Sequence, residues 1–382
     1  MLYTKGELNF IIEEVEVYKY NIFAERHFSF GTWTSRQHAF VRIVSKDETG
    51  FGENIISTNV PEISLEEWGG CLKAFIGLSI KEAIELTRTK YESWGGRCCE
   101  MAEMALIDLG GKLLKQSALD MLNLIGDKPV FGVYVILSDD VEYVKEHAKW
   151  AYDNKRATYI KVKLFGDLEL DSKIIKAVRE NTDENTFLIG DVNTGYGKAV
   201  QKDEIDDIAK KLNILFDCGL DACEDPAAMS HELWIELQGK VGKLNLIPDE
   251  PMRPARVVIN ENIEGMGRIY NIHPGCMESI IDAVNLSNKI KELGAKLMIG
   301  DDSLIGPACT VWQQLAIGLE ADWVEAIEKA GDSDNFNKAI IDISTTTDEE
   351  GRLYLNKNTY GFGLSLDISK LKEDAVDVIT YR

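Results

Sequence analysis

The stretch "TYIKVKLFGD", residues 158–167, carries two lysines, Lys161 and Lys163, two places apart in an otherwise apolar run. In a β-strand residues i and i+2 point to the same face. Two ammonium groups aimed together out of a buried strand repel each other and carry a desolvation cost. The spacing therefore predicts acidic groups facing them.

Runs of the same kind recur on both sides of this one: "VFGVYVIL" (130–137), "FLIGDVN" (187–193), "LDACEDP" (220–226), "LNLIPDEP" (244–251), "RIYNIHPG" (268–275), "KLMIGDD" (296–302) and "DWVEAIEK" (322–329). Helical patterns separate most of them, among them "LDSKIIKAVREN", "KDEIDDIAKKLNI", "IIDAVNLSNKIKELG" and "ACTVWQQLAIGL". Strand and helix alternating eight times over some two hundred residues is the pattern of a (β/α) barrel. A doubly wound open sheet is the alternative, but no GxGxxG follows the first strand.

Residues 1–125 read differently, as strands followed by helices, which is an α+β domain. "LNFIIEEVEVYKYNI" alternates in part, and "HAFVRIVSKDETGFGENI" reads as strand, Asp-Glu-Thr-Gly turn and return strand. "SLEEWGGCLKAFIG" opens on a Ser-x-x-Glu capping box. "CCEMAEMALIDLGGKLLKQSAL" has helical spacing with a Gly-Gly interruption. The barrel is assigned to residues 126–345. The tail, 346–382, has strand and turn signals and is expected to return to the first domain.

The chain of 382 residues has a net charge of −22, with 45% hydrophobic and 28% charged residues. These are globular values. The charge repels a phosphate backbone or an anionic membrane, which argues against nucleic-acid and membrane partners. No apolar run reaches the roughly 20 residues of a membrane helix, and "MLYTKGELNF" has no signal-peptide pattern. Seven scattered cysteines, including Cys98-Cys99 and the pair Cys218 and Cys223, fit neither a disulfide framework nor a zinc knuckle. They read as reduced thiols of a cytoplasmic protein.

Catalytic residues of a barrel sit at the C-terminal ends of its strands. Read in order, those ends carry Lys161 and Lys163; Asp191 and Asn193; Glu224 and Asp225; Asp249 and Glu250; Asn271 and His273; Asp301 and Asp302; Glu325 and Glu328. Each of these also has a structural reading. A Lys-x-Lys pair suits a solvent-facing edge, Asp after a strand is a common helix N-cap, and a lone His is often merely hydrogen-bonded. Three consecutive strands ending in carboxylates would bring like charges together about 4.8 Å apart. Hard oxygen donors with room for water and substrate suit Mg²⁺. A register slip of one would exchange Glu224 for Asp225 or Asp249 for Glu250. A lysine beside Mg²⁺ and a second lysine favours its neutral form and can act as a general base. With a metal to steady the developing oxyanion, this set suits removal of a proton α to a carboxylate, the enolase-superfamily arrangement.

The "TGFGEN" turn at 49–54, the "EMAEMALIDLGGK" helix at 100–112, the Lys-x-Lys strand and the "GDVN", "CEDP" and "PDEP" strand ends together resemble the mandelate racemase/muconate lactonizing enzyme branch of the enolase superfamily. The resemblance covers nearly the whole chain. It implies an α/β fold: a modified (β/α)₇β TIM-type barrel with an α+β N-terminal capping domain. It implies Asp191, Glu224 and Asp249 as Mg²⁺ ligands, Lys163 as base, and Lys161 as the group that holds the substrate carboxylate and lowers the pKa of Lys163. Asn193 accompanies the first ligand, and the loop near 22–34, with Arg26 and His27, closes over the substrate. The sequence departs from the pattern at "YNIHPGCMESI", where His273 stands in place of a lysine. His273 oriented by Asp301 or Asp302 is an inverted form of the His/Asp pair. Glu250 and Glu325 are further candidates for supporting contacts.

The expected activity is racemisation or epimerisation of a small carboxylic acid by a homo-oligomer. Dehydration of a hydroxy or sugar acid and cycloisomerisation are the alternatives. A Schiff-base aldolase would instead make Lys161 or Lys163 covalent and need no metal. A non-catalytic barrel would lack one or more of the ligands.

Overall fold

The computed structural model describes residues 2–59, 62–302, 304–325, 340–342, 345–356 and 359–382. The chain opens with three long antiparallel strands, β1 (Glu14–Phe28), β2 (Gly31–Ser45) and β3 (Glu48–Thr58). The turn between β2 and β3 falls on Lys46 and Asp47, two residues earlier than expected, with Lys46 at φ 53°. "TGFGEN" is consequently strand, and its glycines serve close approach. A Cβ on Gly50 or Gly52 would come within 2.1 Å of the carbonyl oxygens of Ala105 and Met101 on helix Gly96–Leu114. That helix runs unbroken through Gly110 and Gly111. A Cβ on Gly111 would lie 2.5 Å from Gly361 Cα, so the pair of glycines admits the C-terminal segment.

The eight apolar runs all contain strands. The first splits into β4 (Val130–Gly132) and β5 (Tyr134–Ile136). Then follow β6 (Tyr159–Lys163), β7 (Phe187–Asp191), β8 (Ala222–Glu224), β9 (Asn245–Ile247), β10 (Ile269–Ile272), β11 (Lys296–Ile299) and β12 (Trp323–Val324). The expected helices lie between them, at Leu168–Arg179, Ile205–Asp217, Ile280–Glu292 and Pro307–Gly318. Asp140 and Asp167 cap two helices by accepting bonds from backbone N–H groups in the first turn.

The described ladders form two sheets rather than one ring. Strands β5 to β9 pair in order, all parallel. The second sheet runs β10-β11-β12-β4 in parallel and continues into antiparallel strands at Arg352–Leu355 and Thr345–Thr347. The segment 130–136 joins the two sheets, and Val133 N donates to Val324 O at 3.0 Å. At the other margin one backbone bond crosses, from Asn271 N to Pro248 O at 3.2 Å. Strand β9 ends at Ile247, and Pro248 has no N–H with which to continue the ladder.

Val133, Ile189, Ala222, Ile247, Ile269, Met298 and Trp323 form one buried apolar cluster between the sheets. The period of two then fixes the next layer. Two residues beyond Ile189, Ala222, Ile247 and Trp323 stand Asp191, Glu224, Asp249 and Glu325. The apolar plug thus places the acidic residues above it.

Helix Gly96–Leu114 is tied to the segments that follow β10 and β11 through buried carboxylates. Glu100 accepts from Gly275 N (2.7 Å) and Glu278 N (2.9 Å), and Glu103 from Ser279 Oγ and Ile281 N (2.8 and 3.0 Å). From β3, Glu53 accepts from Ile305, Gly306 and Ala308 N at the start of helix Pro307–Gly318. The chain's last strand, Asp377–Tyr381, pairs antiparallel with β1. None of the seven cysteines is in a disulfide. No described helix is long and apolar enough to cross a membrane.

Candidate active site

Strand ends from both sheets, with the β1–β2 hairpin, surround a cavity of about 190 Å³. Of the residues singled out in the sequence, Lys161, Lys163, Asp191, Asn193, Glu224, Asp249, His273, Asp301, Asp302 and Glu325 line it. Glu250 does not. It begins the short 3₁₀ turn Glu250–Met252 and is exposed, because the chain leaves the extended conformation after Asp249. The side chain of Arg26 and residue Glu328 lie outside the described residues.

Ladder register sets Lys163 beside Asp191, and Asp191 beside Glu224. Lys161 sits where carboxylates converge. Its Nζ is 2.6 Å from Glu224 Oε2, 3.3 Å from Asp191 Oδ2 and 3.0 Å from Glu325 Oε1. Burial alone would lower the Lys161 pKa, but Glu224, Glu325 and Asp191 outweigh it and hold the ammonium well above its usual value. This is the acidic surrounding the Lys-x-Lys spacing called for. Lys161 thus balances the charge of these carboxylates. Lys163 Nζ donates to Asp191 Oδ2 (2.5 Å) and Asn193 Oδ1 (2.7 Å), and lies 4.9 Å from the Phe28 ring centroid. Asn193 takes a left-handed conformation, φ 46°, which Asn tolerates better than most residues.

The register question at strands β8 and β9 has a structural answer. Glu224 faces the cavity. Asp225, at φ 40°, accepts from Asp249 N and Glu250 N, each at 3.0 Å, and so fixes where Asp249 points.

His273 is held from two sides. Its Nδ1 is 3.1 Å from Asp249 Oδ1, and its Nε2 is 3.7 Å from Asp302 Oδ1. Of Asp301 and Asp302, it is Asp302 that forms an ion-pair contact with the imidazole. Burial and Arg253 push the imidazole pKa down, but Asp249 and Asp302 prevail and raise it to about 9.

The sequence reading missed several residues. Arg253 pairs with Asp249, and Arg97 pairs with Asp302 and reaches Cys276 Sγ at 3.2 Å. Phe28, Phe30 and Trp33 form an aromatic cluster on the cavity wall. The expected closing loop at 22–34 is a tight hairpin, and Ser29 Oγ docks it by donating to Asn193 O at 2.9 Å. Only the i,i+4 spacing of Asp249 and Arg253 was a local signal, and it could equally have marked a surface pair.

Asp191, Glu224 and Asp249 offer hard oxygen donors. Glu224 Oε2 is buried, with the ammonium of Lys161 2.6 Å away. Burial raises the Glu224 pKa well above the usual range, and Asp191, Glu325 and Asp249 add to this against the pull of Lys161. A divalent cation fits such a set. Among the described residues, the ligand atoms that already lie within 4.8 Å of one another belong to a different group, His273, Cys276 and Asp302. The guanidinium of Arg97 already meets the charge of Asp302 there.

Glu100 holds the segment that follows His273, and burial pushes its pKa from 4.5 to about 7. The folded state therefore keeps this proton over a range where the unfolded chain loses it. Its stabilising contribution is complete below about pH 4.5 and is lost as pH rises through about 7. A gap of this size is worth on the order of 3 kcal/mol. Glu100→Gln, which does not titrate, is expected to flatten the fall in urea midpoint between pH 5 and 8; parallel profiles would show that Glu100 carries no such linkage.

No family model matches the sequence, and no curated protein matches it by sequence. Solved structures match it by fold. The dipeptide epimerase from Cytophaga hutchinsonii, complexed with Mg and D-Ala-L-Val, superposes with a TM-score of 0.80 at 18% identity, covering 97% of this chain and 100% of that one. A mandelate racemase/muconate lactonizing protein from Herpetosiphon aurantiacus gives 0.76 at 18%, covering 94% and 100%. A variant of L-talarate/galactarate dehydratase liganded with Mg and L-glucarate gives 0.79 at 14%, covering 99% and 97%.

Proposed function

We propose that this chain is a Mg²⁺-dependent enzyme of the enolase superfamily that removes the proton α to a substrate carboxylate, and that it racemises or epimerises a small carboxylic acid. In this reading the two parallel sheets act as one modified (β/α)₇β barrel over residues 126–345. Residues 1–125 cap it, and 346–382 return to the cap. The fold shared with an epimerase and a dehydratase supports the chemistry.

The observation that carries the reading is that Lys163 and His273 line one small cavity from strands β6 and β10, which belong to different sheets. The second and sixth strands of an eight-stranded ring stand across from each other. A substrate between them presents its α-carbon to a base on each face. Asp191 and Asn193 fix Lys163 Nζ, so the amine does not swing away from the carbon. Phe28, against Lys163, keeps water from that side. Lys163 takes the α-proton, and His273 returns one to the opposite face, the two exchanging roles for the other enantiomer. Asp191, Glu224 and Asp249 would hold the Mg²⁺, which when bound supplies positive charge to the substrate carboxylate.

The carboxylates of Asp249 and Asp302, which raise the His273 pKa, also favour a second reading. The same imidazolium can protonate a β-hydroxyl leaving group, which makes the enzyme a dehydratase.

Proton NMR in D₂O with Mg²⁺ and a pooled set of amino acids, small dipeptides and sugar acids tests the proposal. Exchange of an α-proton with inversion of the centre is the expected result. A lost hydroxyl selects the dehydratase. No exchange, together with no saturable Mg²⁺ binding, overturns both.

A further inference from the structure

The chemistry above leaves Arg253 unused, although it lines the cavity. It follows the 3₁₀ turn after Asp249, and its guanidinium holds both oxygens of that carboxylate. Nε donates to Oδ1 at 3.1 Å, and Nη2 donates to Oδ2. The same Nη2 lies 2.7 Å from His273 Nδ1. Asp249, gripped at both oxygens, is the partner that holds Arg253 in place. The arginine is the more accessible of the two, at 26% side-chain exposure against 4%.

From this geometry we infer that Arg253 is an internal competitor for a cation at Asp249, and that its guanidinium, once displaced, anchors a second carboxylate on the substrate. The inference rests on the Mg²⁺ reading given above. A divalent ion at Asp249 brings positive charge to within a few ångströms of the guanidinium, and the two repel. The arginine cannot turn to its basic neighbours Lys161, Lys163 and His273. Of its other acidic neighbours, Asp302 is already paired with Arg97, Asp225 accepts from Asp249 N and Glu250 N, and Asp301 accepts from Leu304 N. A half-buried guanidinium left in this position needs an anion, and a carboxylate matches its fork with two parallel bonds. The substrate class is therefore a dicarboxylate small enough for a cavity of about 190 Å³. Cation and dicarboxylate then bind cooperatively, each favouring the arrangement the other needs.

Calorimetric titration of Mg²⁺ into the wild-type protein, Arg253→Gln and Arg253→Lys tests this, with each protein alone, with succinate and with butyrate. Without an anion, Arg253→Gln is expected to bind Mg²⁺ at least about tenfold more tightly than wild type. Arg253→Lys, which keeps the charge without the fork, falls between them. Succinate tightens Mg²⁺ binding to wild type where butyrate does not, and Arg253→Gln loses the difference. Equal Mg²⁺ affinity in wild type and Arg253→Gln overturns the competition. A succinate effect that survives in Arg253→Gln overturns the anchor. No saturable Mg²⁺ binding to any of the three overturns the metal reading itself.

Discussion

Replacing Lys163 with alanine is expected to slow α-proton exchange by about 10²–10⁴-fold, the usual contribution of a positioned general base. The amine is tethered at 2.5 and 2.7 Å by Asp191 and Asn193, and one wall of its site is the ring of Phe28. Water admitted by the truncation is a weaker base and is not held against the carbon. The loss should fall on the enantiomer whose α-hydrogen faces β6. His273→Asn should mirror it, sparing exchange from the β6 face and abolishing it from the other. Substrate affinity should change little in either variant. The measurement is the rate of deuterium incorporation into each enantiomer at saturating substrate. Wild-type exchange in Lys163→Ala would remove Lys163 from the mechanism.

Lys161→Met should destabilise the metal-free protein by about 3–5 kcal/mol, the cost of removing one partner from a buried charge cluster. Lys161 is the ammonium between Asp191, Glu224 and Glu325, and all four groups are buried. Its loss leaves three carboxylates facing one another with little solvent to screen them. A methionine of similar length fills the space and isolates the charge effect from a cavity effect. Urea unfolding in the presence of a chelator measures the loss. Mg²⁺ should then stabilise Lys161→Met more than wild type, because the ion supplies charge that Lys161 otherwise provides. An unchanged urea midpoint would mean that the carboxylates do not depend on Lys161.

The two effects separate the roles of neighbouring lysines on one strand. Lys163 has two fixed acceptors and an aromatic wall, the environment of a group that must be aimed. Lys161 has three carboxylates and is held charged, the environment of a group that balances charge.

The eight apolar runs and the helices between them were legible in the sequence because their periodicity is local and each run is long enough to show it. The period of two also carried the acidic strand ends, since an apolar inner residue dictates what stands two places on. Contacts from distant parts of the chain escaped that reading. Lys161 meets Glu325 across 164 residues, and Arg97 meets Asp302 across 205. No pattern within a single window contains both members of such a pair. The same limit made a loop of a docked hairpin at 22–34 and a turn of the glycine-bearing strand at 49–54, whose reason is a helix fifty residues away. It also left Glu250 a candidate when the chain turns away from the cavity at that residue. Local periodicity determined the order and type of the elements and the layer of acidic residues above the apolar plug. The tertiary structure decided which charge faces which, because partner choice in a buried site depends on distances that only the packed strands set.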